Sequence, residues 1–151
     1  MTGVPWPFIA LTHKRENGPD FDHSRFAAYL GNGQPLLRKT TIVPKNRGPF
    51  LGPNAFVNGA VDALRIEGMS SIKDWRLEKI LYWCEVFNGS GYSAKGLPSP
   101  YVWGGTTIQR PGKYVADHVF NAKAWDPQPG CAPMLKAIET LDPTVHFIRE
   151  S

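Results

Sequence analysis

Pro5-Trp6-Pro7-Phe8-Ile9-Ala10-Leu11-Thr12-His13-Lys14-Arg15-Glu16-Asn17-Gly18-Pro19 carries a start signal, an unbroken run and a stop. Proline suits a first helical turn, where its missing N–H has no intrahelical partner to lose. Asn17-Gly18 offers the left-handed residue that ends helices, and Pro19 blocks continuation. The stretch predicts a helix over about Pro5–Asn17. Steps of three and four then place Trp6, Ile9, His13 and Glu16 on one side. Glu16 would share that side with apolar residues and sit at the negative end of the helix dipole. Both features disfavour a carboxylate, so its pKa is expected to be raised, as a general acid requires. The alternative is a glutamate paired with Lys14, Arg15 or a more distant arginine.

Downstream, Ala28-Tyr29-Leu30 and Arg38–Val43 flank Gly31-Asn32-Gly33, and the second segment holds the β-branched Thr40, Thr41, Ile42 and Val43. This predicts a β-hairpin or a small three-stranded sheet. Thr40 and Thr41 alternate faces, so one of them points at the first helix if the hairpin folds over it. Ordinary β-propensity explains the pair equally well. Pro44–Pro53 reads as a connection. A helix follows over Asn54–Glu67, with Phe56, Ala60, Ala63 and Leu64 on one face and Gly68 closing it.

A further helix is expected from about Ser71 to Asn88, capped by Ser71 and Asp74. Its stripe would be Leu77, Leu81, Cys84 and Asn88. Asn88 is then an inward amide in need of a partner, or simply a cap before Gly89. Gly96–Gly112 is a loop in which Tyr101 and Trp103 either make rigid stacking surfaces for sugar rings or plug the core. Lys113–Trp125 reads as short helix and turn, and Cys131–Leu141 as a last helix. The order helix, hairpin, helices predicts an α+β fold, mainly helical, as a single domain over residues 1–151.

Composition agrees with one loop-rich domain: 151 residues, 42% hydrophobic and 20% charged, with 15 glycines and 14 prolines. The net charge of +4 permits polyanionic partners and selects none. Lys and Arg are scattered, and neither a nucleic-acid arm nor a zinc-finger spacing is present, so no nucleic-acid partner is expected. Cys84, in an apolar run, reads as a buried free thiol. His13, His23, His118 and His146 lack zinc spacing, and no phosphate loop, dinucleotide fingerprint or Gly-x-Ser-x-Gly occurs. No cofactor or metal is expected. No apolar stretch reaches the ~20 residues of a membrane span, so stable membrane insertion is not expected.

The chain resembles a bacterial and phage family of lysozyme-like proteins, often fused to peptidoglycan-binding modules. The first segments that carry the likeness are Val4-Pro5-Trp6 with Phe8-Ile9-Ala10 and His13-Lys14-Arg15-Glu16. Leu30-Gly31-Asn32-Gly33-Gln34-Pro35-Leu36, Thr40-Thr41-Ile42-Val43-Pro44-Lys45 and Arg47-Gly48-Pro49-Phe50 follow. Ala60-Val61-Asp62-Ala63-Leu64, Phe87-Asn88-Gly89 with Gly91-Tyr92, and Gly96-Leu97-Pro98-Ser99-Pro100-Tyr101-Val102-Trp103-Gly104-Gly105-Thr106 come next. Gly112-Lys113-Tyr114-Val115-Ala116-Asp117 completes the set.

The resemblance implies a lysozyme-like fold, with a small β-hairpin beside a cleft, and puts Glu16 on the family's catalytic glutamate. Phe87-Asn88-Gly89 with Tyr92 is similar to the Tyr-Asn-Gly segment of goose-type lysozymes and lytic transglycosylases, with Phe87 in place of the tyrosine. Relatives often carry Asn-Gly-Asp-Pro in the hairpin, where this chain has Gln34. Thr40, Thr41 or Gln34 would position water or stabilise charge, and Asp20 and Asp22 would be acidic helpers. Asn88, Tyr92, Tyr101, Trp103 and Asp20 would hold the glycan.

The implied function is a peptidoglycan-cleaving muramidase, a glycoside hydrolase of the endolysin kind, acting as a monomer. A lytic transglycosylase with the same Glu16 and a non-catalytic glycan-binding or assembly protein are the alternatives. The opening residues lack a basic, then apolar leader. Accumulation in the cytoplasm with action on the wall after release is therefore expected, or derivation from a longer secreted protein.

Overall fold

The computed structural model describes residues 2–17 and 27–147. Contacts within the chain divide it into two units, Met1–Lys73 and Asp74–Ser151. Among the described residues there are five α-helices and one two-stranded antiparallel sheet, an α+β architecture.

In the first unit, helix α1 spans Trp6–Asn17, close to the predicted bounds. Its buried face differs from the expected one. Phe8, Leu11 and Thr12 turn inward, whereas Trp6 is 54% exposed and Ile9 and Glu16 are half-buried. The Phe8 side continues into Leu11 and a threonine that bonds its own helix, whereas the Trp6 stripe runs on into Glu16, whose charge disfavours burial. Thr12 tolerates burial because its hydroxyl donates to the carbonyls of Phe8 (2.9 Å) and Ile9 (3.2 Å). His13 is buried on another side, its ring 5.0 Å from that of Phe56. Glu16 follows Thr12 by four residues and His13 by three, so it emerges between two buried neighbours.

The hairpin of the first unit is reduced to a single bridge, Ala28 to Pro35. Tyr29 N donates to Gln34 O (2.7 Å), Gly33 N to Tyr29 O (2.7 Å) and Leu36 N to Ala27 O (2.8 Å). Arg38–Val43 forms no strand. Thr40 instead closes a loop: its N–H donates to Arg47 O (2.9 Å) and its carbonyl accepts from Asn46 N (2.8 Å). Local closure satisfies the polar groups that a partner strand would otherwise take.

Helix α2, Ala55–Ile66, buries Gly59, Ala60, Ala63 and Leu64. A Cβ at Gly59 would stand 2.6 Å from Leu36 Cδ2, so the missing side chain lets the loop lie on the helix. Gly68, at φ +76°, turns the chain into a 3-10 turn at Met69–Ser71.

In the second unit, helix α3 spans Leu77–Asn88, starting six residues after the expected Ser71. Ser71 spends its hydroxyl backward on Gly68 O (2.8 Å), and Asp74 grips Arg76 instead of capping. The buried stripe is Ile80, Cys84 and Phe87. Helix α4, Pro100–Trp103, is one turn inside the predicted loop, and helix α5, Cys131–Leu141, has its predicted bounds. Helices α3, α4 and α5 pack on one another. Cys84 and Cys131 are both free, fully buried thiols within hydrogen-bonding reach of each other.

The sheet is made by β1, Lys113–Ala116, and β2, Val119–Asn121, where helix and turn were expected. Tyr114 pairs with Phe120 across it, and His118 at φ +59° makes the reversal. Among the described residues no helix is long and apolar enough to cross a membrane.

Candidate functional site

The last turn of α1 and the reduced hairpin meet at Gly33. A Cβ there would lie 3.0 Å from the main-chain oxygen of Glu16, so the glycine turn packs against the residue expected to be the acid. Its φ of +73° is a second demand that glycine meets without strain. Beside it Asn17 is buried, its amide nitrogen donating to His13 O at 2.8 Å. Asn17 Oδ1 has no hydrogen-bond partner among the described residues.

The next residue, Gln34, reaches across to the Thr41 segment. Its Oε1 accepts from Thr41 N (2.7 Å) and Ile42 N (3.2 Å), and its Nε2 donates to Thr41 Oγ1 (2.9 Å). Asn32 supports both sides, its Oδ1 accepting from Gln34 N (3.1 Å) and its Nδ2 donating to Ile42 O (3.2 Å). Gln34 and Thr41 are thus brought together, with Thr41 exposed and Gln34 half-buried.

Thr40 faces the other way and is 3% exposed. Its hydroxyl donates to Pro44 O and accepts from Arg47 N (3.0 Å), so both of its functions serve the loop. The expectation that Thr40 positions water is corrected on this ground: it is a structural hydroxyl.

Nothing in the sequence reading anticipated the network behind this loop. Tyr29 donates to Asp62 Oδ2 at 2.8 Å, and Arg47 donates to both oxygens of the same carboxylate. The Tyr29 ring stacks on Phe50 at 5.6 Å and 4°. Hydrogen bonds from Arg47, then from Tyr29, hold the Asp62 carboxyl below its usual range against the opposing effect of burial. Burial and the bond to Asp62 raise the Tyr29 phenol, which therefore stays neutral. The three residues lie in separate motifs 15 and more positions apart, and no local spacing links them.

Of the second unit's candidates, Tyr92 is 6% exposed and Tyr101 3% exposed. Tyr101 therefore takes the core-plugging one of its two readings, and Tyr92, expected to hold the glycan, is buried as well. Tyr92 instead seats the sheet: its phenolic oxygen accepts from Tyr114 N at 2.9 Å. Its ring meets that of Tyr114 edge-on at 5.1 Å. Phe120 joins them at 5.3 Å from Tyr114, with Lys95 Nζ 4.7 Å above its ring. Gly91 is needed there because a Cβ would stand 2.8 Å from Tyr114 Oη. Asn88 is exposed, not on the inward stripe, because Phe87 occupies the buried position. Trp103 is half-buried.

Asp20 and Asp22 lie outside the described residues. Among the described residues no three His, Cys, Asp or Glu side chains gather as a metal set. Comparison with family models, with curated proteins and with solved structures finds no match to this chain.

Proposed function

We propose that the protein is a muramidase of lysozyme-like fold that cleaves the glycan of bacterial peptidoglycan, working as a monomer on the wall, with Glu16 as its general acid. The observation that carries this reading is the seating of Glu16, on the last turn of α1, against the Gly33 turn that continues into Gln34 and its partner Thr41. Glu16, Gln34 and Thr41, three of the four residues expected to act in catalysis, are thus linked through one contact at Gly33 and the Gln34–Thr41 hydrogen bonds. The likeness of those segments to lysozyme-like proteins, stated above, supplies the substrate class. Net charge of +4 suits the lactyl and peptide carboxylates of the wall.

In this reading Glu16 gives its proton to the glycosidic oxygen as the bond to the anomeric carbon breaks and oxocarbenium character develops. Water then adds its oxygen to that carbon and releases a proton, and solvent exchange restores the acid form of Glu16. Thr41 is the exposed hydroxyl held by Gln34, the residue that follows the Gly33 turn; Thr40 has no part in the chemistry. Within the second unit Asn88 is exposed and Trp103 half-buried.

One observation favours a second reading. The side chain at position 34 is an amide, engaged by two main-chain N–H groups, not a second carboxylate. A single acid suffices for a lytic transglycosylase, in which the muramyl hydroxyl closes on the anomeric carbon. Mass spectrometry of fragments from digested walls decides the matter. Reducing muramic ends are expected; anhydro-muramyl ends would assign transglycosylation, and an absence of fragments would leave a glycan-binding protein.

A further inference from the structure

We infer that Gln34 is a positioning residue for Thr41: its amide makes the Thr41 hydroxyl an acceptor on the inner side and so turns the hydroxyl's own proton outward, as a donor to an oxygen of the bound glycan. The inference rests on the muramidase reading and deepens it.

The orientation of the amide follows from its surroundings. Thr41 N and Ile42 N can only donate, so the atom they meet at 2.7 and 3.2 Å must be the amide oxygen. The amide nitrogen is therefore the atom 2.9 Å from Thr41 Oγ1, and it can only donate. A threonine oxygen that accepts from this side keeps its single proton for another acceptor. Thr41 is exposed, so that proton is presented at the surface. Asn32, bonded to Gln34 N and to Ile42 O, braces the two strands of chain that the amide joins. Gly33 ties the same turn to Glu16.

A carboxylate at position 34 would reverse the polarity. It could still accept from Thr41 N and Ile42 N, but it has no proton to give Thr41 Oγ1 when ionised. The threonine would turn its proton inward to meet the charge. The fold would keep every contact and the surface would lose its donor. The amide is thus a device that sets the direction of one hydroxyl.

The experiment compares wall cleavage by the wild type, Gln34→Glu, Thr41→Val, Thr41→Ser, the Gln34→Glu/Thr41→Val double variant and Glu16→Gln, each with its melting temperature. At pH 8, Gln34→Glu is expected to lose about tenfold in kcat/KM, the worth of one hydrogen bond, with no fall in melting temperature. As the pH falls through the pKa of the introduced carboxyl, its neutral form can donate to Thr41 Oγ1. The ratio of variant to wild-type activity should therefore climb toward one. Thr41→Val should lose a similar factor at every pH, Thr41→Ser should recover most of it, and the double variant should be no worse than Thr41→Val.

Wild-type activity in Gln34→Glu at pH 8, a loss that acid does not relieve, or additive losses in the double variant would each overturn the inference. With Glu16→Gln inactive, any of those results leaves the muramidase reading standing. A wild type that does not cleave walls overturns both.

Discussion

The α-carbon of Gly33 lies against the carbonyl oxygen of Glu16, close enough that a Cβ there would stand 3.0 Å from it. The last turn of α1, which carries Glu16, and the turn that leads into Gln34 therefore pack directly on each other. Gly33→Ala adds both this crowding and a left-handed backbone at a residue with a side chain, a cost of about 1–2 kcal/mol. Wall cleavage should fall by more than the folded fraction does, because the turn must back away from Glu16. Urea unfolding and turnover, measured on the same preparation, check this; full activity in a folded variant would contradict it.

Asp62 makes stability depend on acid. Its folded pKa is held below the ordinary carboxyl range, chiefly by Arg47, so its contribution is complete above the unfolded pKa and is lost as pH falls through the folded one. Asp62→Asn should cost about 1–3 kcal/mol near pH 7, where Arg47 and Tyr29 lose a charged acceptor. The gap between variant and wild type should narrow below about pH 4. Thermal melts across pH 3–7 test this, and a gap independent of pH would refute it.

Cys84 and Cys131 should be silent toward thiol reagents in the native protein. Both are fully buried, and the Cys84 thiol is pushed well up by its hydrogen bond with Cys131 and by burial. Mass spectrometry after alkylation at pH 8 should find no adduct in native protein and two in denaturant. Rapid single labelling of native protein would contradict the arrangement.

Gly130 lies where two stretches of backbone touch. A Cβ would be 2.3 Å from Val102 O, and Gly130 N donates to Gly104 O at 2.8 Å. Neither neighbour is a side chain that can swing away, so Gly130→Ala should cost more than about 2 kcal/mol by overpacking. Chemical denaturation measures it; a neutral substitution would mean that α4 and α5 are less tightly joined than described.

Several of these features were legible in the residues. Proline in the first turn, the Asn17-Gly18-Pro19 stop and the apolar spacing placed α1, α2 and α5 within a residue or so of their bounds. Local chemistry misled where the same residue types had a second use. Thr40-Thr41-Ile42-Val43 has strand composition, yet Thr40 closes a loop with Arg47 and Asn46. Tyr114, Val115, Val119 and Phe120 form a hairpin around Asp117-His118 where helix and turn are expected, because so short a β-rich run has no periodicity to separate the two. Of the two aromatic residues read as either stacking surfaces or a core plug, Tyr101 lies inside the second unit and Trp103 is half-buried.

The pairing of Gln34 with Thr41 and the grip of Arg47 and Tyr29 on Asp62 could not be read in advance. Both depend on where a loop without regular structure crosses itself, which periodicity does not encode.

The central claim is that Glu16 is the acid of a wall-cleaving enzyme. The direct measurement is the loss of turbidity of purified bacterial walls with the wild type and with Glu16→Gln, with binding to the same walls measured separately by co-sedimentation. The account predicts clearing by the wild type, a loss of at least about a hundredfold in Glu16→Gln, and unchanged binding. Equal clearing by the two proteins would contradict it.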